Sequence, residues 1–192
     1  MHQKLLRYFN RIQPLIKEEE QAIANTIDIR EYKKGSVLLK EGDVSLAAYF
    51  VLDGCVRQYY ITDEGEKTTH FYLPEQWVTS IQSFRESSPS KHYLACSTDC
   101  TLVVGNREKE TSLYSQFPRL ESISRMVMEK VFAEEQERLS AYVTGTPEQR
   151  YERLLQAKPD LLQLVPQYQI ASYIGVQPES LSRIRKRLSN KK

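Results

Sequence analysis

Apolar residues recur along this chain with two periods. From residue 2 to about residue 28 they fall three and four apart, at Leu5, Leu6, Phe9, Ile12, Leu15, Ile16 and Ile23, which predicts helix around Pro14. From Glu31 the pattern changes, and short runs rich in Val, Tyr and Leu are set off by Gly35, Gly42, Gly54 and Gly65. Tyr49–Leu52, Asp53-Gly54 and Cys55–Ile61 read as strand, tight turn and strand. Residues 62–66 form a further turn, and Thr68–Leu73, Tyr93–Cys96 and Thr101–Val104 add three strands. Regular short strands joined by turn chemistry predict a sandwich or barrel-like β-domain.

Near Ser115 the helical period returns. Between Pro118 and about Val143 there is no Gly or Pro, and Leu120, Ile123, Val127 and Val131, then Met128, Phe132, Leu139 and Tyr142, build an apolar stripe. At about 1.5 Å per residue such a helix is about 40 Å long, more than a small β-domain covers. The stripe therefore predicts a partner helix, most simply the same helix of a second copy. Packing onto the β-domain alone is the alternative. Thr144-Gly145 ends this helix. Thr146-Pro147-Glu148-Gln149 starts the next, with a capping threonine, a proline at the first helical position and a glutamine that closes a capping box. Leu154 and Leu155 face inward, Lys158-Pro159 stops the helix, and a domain boundary is expected near Gly145.

The segment from Val165 to Leu188 has the logic of a helix-turn-helix. Ile170 and Ile174 face inward from the first helix, and Ala171 is small enough for close helix contact. Gly175 supplies the backbone angle of the turn, Val176 plugs the corner, and Leu181, Ile184 and Leu188 return the second helix to the core. Pro178 opens that second helix. Its N-terminal face carries Glu179, Ser182 and Arg183, where a recognition helix presents side chains to base edges. Arg183 can take guanine O6 and N7 together, and Glu179 can accept from a cytosine amine. Ser180, Arg185, Lys186 and Arg187 can reach phosphates, which position a protein without reading sequence. A surface hairpin with no such role is the bland alternative, and the glycine turn, the packing and the basic helix together argue against it.

Charge sharpens this reading. The 192 residues hold 27 Lys and Arg against 25 Asp and Glu, a net +2. Arg183, Arg185, Lys186, Arg187, Lys191 and Lys192 face only Glu179 between Pro178 and Lys192, so that end carries +5 and the other 177 residues −3. A basic end on a slightly acidic body suits a polyanionic partner. No apolar run approaches the roughly 20 residues needed to span a bilayer, and Arg7, Arg11 and Lys17 break any signal-peptide core. A cytoplasmic location with no membrane partner is expected. Cys55, Cys96 and Cys100 are an odd count, unlike a disulfide framework, and the C-x3-C pair lacks the further ligands of a zinc site. Reduced thiols on a β-sheet and no metal centre are expected.

Over nearly its whole length the chain resembles the Crp/Fnr family of bacterial transcription regulators. The β half is similar to that family's cyclic-nucleotide-binding-type roll through Tyr32-x-x-Gly35, Glu41-Gly42 and Tyr49-x-Val51-x-x-Gly54-x-Val56-Arg57. Glu179-Ser180-Leu181-Ser182-Arg183 matches the family's E-x-x-S-R recognition-helix pattern. The resemblance implies base contacts from Glu179, Ser182 and Arg183. The readings combine into an α+β fold. Residues 1–115 are expected to form an antiparallel, jelly-roll-like β-roll sensor domain, 116–144 a dimerisation helix, and 145–192 a helix-turn-helix DNA-binding domain. The expected partners are double-stranded DNA at two-fold symmetric sites, a second copy joined through residues 118–143, and RNA polymerase. No catalytic residue is expected.

The sequence departs from the family where cyclic AMP would bind. Members that take it carry Gly-Glu and, about ten residues on, Arg followed by Ser or Thr, so that the glutamate holds the ribose and the arginine the phosphate. Here Thr79-Ser80 stands for Gly-Glu, and Ser90-Lys91-His92 replaces the arginine element. No cofactor is expected, and cyclic AMP least of all, although Thr79, Ser80, Arg85, Lys91 and His92 remain candidates to meet some other anion. No cysteine precedes Cys55 for an iron–sulfur cluster, and His70 and His92 read as ordinary sheet or loop histidines rather than haem ligands. The chain also runs only four residues past Leu188, where the family continues into a β-hairpin wing. Most of that wing is expected to be missing, with Lys191 and Lys192 compensating electrostatically. Two other readings compete. A metal-dependent cupin needs a histidine cluster that His2, His70 and His92 do not form by spacing, and it leaves residues 146–188 unexplained. A sensor or interaction dimer that no longer binds DNA is the second.

Overall fold

The protein is described by a computed structural model over residues 2–190; Lys191 and Lys192, and with them the expected lysine tail, lie outside the described residues. Helices α1 (His2–Ile12) and α2 (Lys17–Thr26) precede strands β1 (Asp28–Tyr32), β2 (Val37–Leu39), β3 (Ala48–Asp53), β4 (Val56–Thr62), β5 (Gly65–Tyr72) and β6 (Trp77–Val78). Then come α3 (Ile81–Glu86), β7 (Tyr93–Cys96), β8 (Cys100–Gly105), α4 (Arg107–Gln116) and α5 (Pro118–Thr144). The chain continues through α6 (Pro147–Ala157), α7 (Leu161–Leu164), α8 (Gln167–Ile174) and α9 (Pro178–Ser189).

The strands form two antiparallel four-stranded sheets, in the orders β1-β8-β3-β6 and β2-β7-β4-β5. Between them lies a core of Leu39, Val51, Val56, Val78, Leu94, Cys96, Cys100 and Leu102. The first sheet is covered on its outer side too: Phe50 and Leu52 of β3 and Val103 of β8 pack with Leu5, Tyr8 and Ile23 and with Leu120, Ile123 and Val127 of α5. Burial on both faces explains why β3 reads as a continuous apolar run rather than an alternation. Gly54 turns β3 into β4 at φ 90°, and a β-carbon there would collide with the Asp99 carbonyl.

Three local expectations are corrected. The first helical stretch is two helices, because Pro14 sits in a break where the Asn10 side chain accepts the Leu15 amide at 2.8 Å and the Glu19 carboxylate accepts the Ile16 amide at 3.0 Å. It ends at Thr26 rather than about 28, since Asp28 is already paired with Val104 of β8. Helix also returns before Ser115: Asn106 caps α4 by accepting the Lys109 amide at 2.9 Å. Its mostly polar composition hid it from a search for apolar spacing. The boundary drawn at 115/116 falls in the last turn of α4, and that at 144/145 at the end of α5.

The long helix divides its apolar stripe. Leu120, Ile123 and Val127 are buried against the β-roll and α1, whereas Phe132, Leu139 and Val143 are 63, 58 and 70 % exposed. The C-terminal helices enclose their own core, of Tyr151, Leu154, Leu161, Val165, Ile170, Ala171, Ile174, Leu181 and Ile184, and this core also includes Cys55 and Phe71 of the roll. Among the described residues no helix is long and apolar enough to cross a membrane.

Candidate nucleic-acid interface

The sequence mounts α9 by three devices. Gly175 takes φ 77°, the left-handed turn that closes α8. Pro178 at the first turn of α9 needs no backbone donor there. Leu181 and Ile184 are buried in the C-terminal core and turn the other side of α9 outward. Arg150 ties the turn to the rest of the protein: its Nε donates to the Tyr142 carbonyl and its Nη1 to the Ile174 carbonyl, both at 2.9 Å, and its guanidinium lies 4.1 Å from the Tyr142 ring centroid.

On this mount Glu179, Ser182 and Arg183 are all exposed, as are Lys186 and Arg187. Arg183 Nη2 donates to Ser180 Oγ at 3.0 Å, a local bond that leaves its guanidinium at the surface. Ser180 and Arg185 are half-buried. Arg185 leans on the Tyr151 hydroxyl, whose pKa burial raises and Arg185 partly lowers. Arg187 Nη2 stands 3.4 Å from Glu148 of α6. The four residues expected at phosphates thus differ in availability, with Lys186 exposed and Arg187 exposed but already facing a carboxylate.

The five candidate anion residues do not come together at one site, and of them only Thr79 and Arg85 line a common cavity. Ser80 and Ser90 are buried and share a 3.3 Å contact between hydroxyls, and Ser90 Oγ donates to the His92 carbonyl at 2.9 Å. Arg85 points to α4, 3.9 Å from Glu110, while Lys91 is exposed elsewhere and His92 tilts against Tyr60. Only Thr79 lines the cavity of about 630 Å³ that opens between the roll and α5. Its polar lining includes Gln58, His70, Tyr72, Glu135 and Arg138. Tyr72 donates to Gln58 Oε1 at 2.9 Å, and Arg138 holds Glu135 at 2.6 Å and donates to the Thr69 carbonyl at 3.1 Å. His70 is 4 % exposed, and its Nδ1 lies 3.4 Å from Glu135 in a geometry that makes no hydrogen bond. Burial, then Lys158 and Arg138, hold its pKa well below the usual histidine range, so the ring is neutral. Burial opposes the charge of Arg138, but Glu135 outweighs it and keeps the guanidinium above its ordinary pKa.

Sequence reasoning missed this wall because its members lie on β4, β5 and α5, brought together by the fold alone. The alternation His70-x-Tyr72 on a strand was the one available signal. Cys55, Cys96 and Cys100 are free and buried. Burial pushes the Cys55 thiol up to about 12. Among the described residues no group of three or more His, Cys, Asp or Glu side chains is placed to hold a metal ion.

Known proteins bear on the whole arrangement. Residues 29–117 match the cyclic nucleotide-binding domain family. The transcriptional activator protein Anr of Pseudomonas protegens is 25 % identical over 169 residues, covering 81 % of this chain and 68 % of Anr. In fold, the chain is similar to the c-di-GMP-responsive global regulator CLP of Xanthomonas campestris, with TM-score 0.67 and 17 % identity over 92 % of this chain and 93 % of that one. FixK2 of Bradyrhizobium japonicum also gives TM-score 0.67, with 18 % identity over 86 % and 85 % of the two chains. Residues 29–117 thus match the cyclic nucleotide-binding domain family, and over most of its length the chain has a fold similar to those of CLP and FixK2.

Proposed function

We propose that this chain is a sequence-specific DNA-binding regulator that acts as a homodimer. One observation carries the reading: Glu179, Ser182 and Arg183 stand exposed together on the first turns of a helix whose other side is anchored in a core. Side chains so mounted can read base edges from a major groove. Lys186 and Ser180 would meet phosphates directly, and Arg187 would exchange Glu148 for one. The dimer reading rests on α5. Phe132, Gln136, Leu139 and Val143 follow one another four, three and four residues apart along its exposed side, the spacing of a two-helix seam. A small effector would enter the cavity walled by His70, Tyr72 and Arg138. Cyclic AMP is not the proposed effector, because Thr79-Ser80 and Ser90-Lys91-His92 stand where the resemblance would put the Gly-Glu and Arg of a cyclic-AMP cassette.

Selection of bound sequences from a random duplex pool tests the proposal. A two-fold symmetric site with half-sites about one helical turn apart is the expected result. A dimer that enriches no sequence would overturn it and leave a sensor or interaction dimer without DNA binding.

A further inference from the structure

A second cavity, of about 180 Å³, lies against the outer face of the first sheet, beneath α1, α4 and α5. Its walls are almost wholly carbon: Phe9, Val103, Tyr114, Ile123, Val127 and Met128 are among them. An aliphatic and aromatic cavity of about 150 Å³ stays dry and takes up benzene, so this one has room for a ring with a short arm or a bent alkyl chain. Its open side is different in character. Arg85 and Lys109 line it there and are exposed. The one acid among the lining residues, Glu110, already accepts the Tyr114 hydroxyl at 2.9 Å and stands 3.9 Å from Arg85. Lys109 Nζ donates to a neutral group, the Thr26 carbonyl, at 3.3 Å.

We propose that this cavity binds a small amphipathic carboxylic acid, with its apolar body among Ile123, Val127 and Phe9 and its carboxylate at Arg85 and Lys109. The site is distinct from the polar cavity, and the inference does not rest on DNA binding. Trp77, Thr79, Ile81 and Met128 line both cavities and form the partition between them. The Thr79 hydroxyl in that partition is buried with no hydrogen-bond partner. An occupant would press on the partition and on the first half of α5, the helix whose second half carries the exposed seam, and so would couple the two cavities.

Trp77 is the only tryptophan in the chain, so its fluorescence reports the titration. The probes are the straight-chain acids from butanoate to decanoate, phenylpropionate as the aromatic arm, and octanol as the uncharged control. Affinity is expected to rise about fourfold per added methylene until the cavity is full, and then to stop rising. Val127→Phe, which fills the cavity, should abolish octanoate binding, and Arg138→Gln, which alters the polar cavity, should leave it unchanged. Absence of saturable binding by any acid would overturn the proposal, as would loss of binding in Arg138→Gln with retention in Val127→Phe. Equal affinity for octanol and octanoate would overturn the carboxylate assignment. Should Val127→Phe fail to fold, the double variant Arg85→Gln, Lys109→Gln, at exposed positions, decides: octanoate should weaken several-fold, and unchanged affinity would count against the site.

Discussion

Ser172 ties α8 to the roll through Thr68: its hydroxyl accepts the Thr68 amide at 2.8 Å and donates to the neighbouring Glu66 carbonyl at 2.9 Å. β5 is the outer strand of its sheet, so these backbone groups would otherwise form an open edge. One side chain does there what a further strand would do. Ser172→Ala removes both bonds, and docking of α8 should weaken by about 1–2 kcal/mol. Hydrogen exchange at the Thr68 amide should quicken while helix content stays constant. An amide as protected as before would refute the coupling.

The same junction holds a lysine. Lys158 donates to the Phe71 carbonyl and, at 3.3 Å, to Gln76 Oε1. Burial lowers its pKa from 10.5 to about 8. The folded protein therefore binds fewer protons than the unfolded chain between pH 8 and 10.5, and this residue's share of stability rises across that window, by up to about 3 kcal/mol. Cys55, raised from 9.0 to about 12, works the opposite way above pH 9. Denaturant unfolding of wild type and Lys158→Met side by side isolates the lysine: wild type should gain on the variant as pH climbs from 8. A constant difference between them would rule out a depressed lysine.

A β-carbon on Gly175 would stand 2.8 Å from the Tyr142 hydroxyl and 3.1 Å from Arg150 Nη1, at a backbone angle that L residues avoid. Gly175→Ala should cost about 1–2 kcal/mol and lower Tm by about 2–4 °C for each of them. Thermal unfolding checks this, and an unchanged Tm would show that the turn relaxes freely.

On DNA, Arg183→Ala should cost about 1–3 kcal/mol and relax base preference at one position of each half-site, whereas Lys186→Ala should weaken all sequences alike. Competition binding with specific and random duplexes separates the two. Equal losses on both duplexes for Arg183→Ala would remove it from the reading face.

Leu139 is 58 % exposed, so a charge there leaves the protomer's own core intact. Leu139→Glu should convert a dimer to a monomer in sedimentation velocity while circular dichroism stays the same. A wild-type monomer at micromolar concentration would sink the seam on α5.

What the sequence made legible was local. Gly175, Pro178 and the apolar spacing around them lie within one short segment, and the turn they predict is the turn observed. The inner strands β3, β4, β7 and β8 were readable because Val, Tyr and Leu runs lie between turn residues. β1 escaped because Asp28-Ile29-Arg30-Glu31 is mostly polar and becomes a strand only by pairing with β8. The wall of the polar cavity was invisible for a related reason: Gln58 and Arg138 are eighty positions apart, and nothing near either announces the other. Cys55 was readable as a sheet thiol, but not as part of the core that holds α9.

That shared core sets a limit on how such a protein can be rebuilt. The ring of Phe71 meets Tyr173 with centroids 5.5 Å apart, inside the same cluster as Leu181 and Ile184. A chimera that moved residues 146–190 onto an unrelated roll would leave that cluster open on one side. The transplanted helices would need Cys55, Phe71 and the Thr68 edge to travel with them, so each half completes the other's packing.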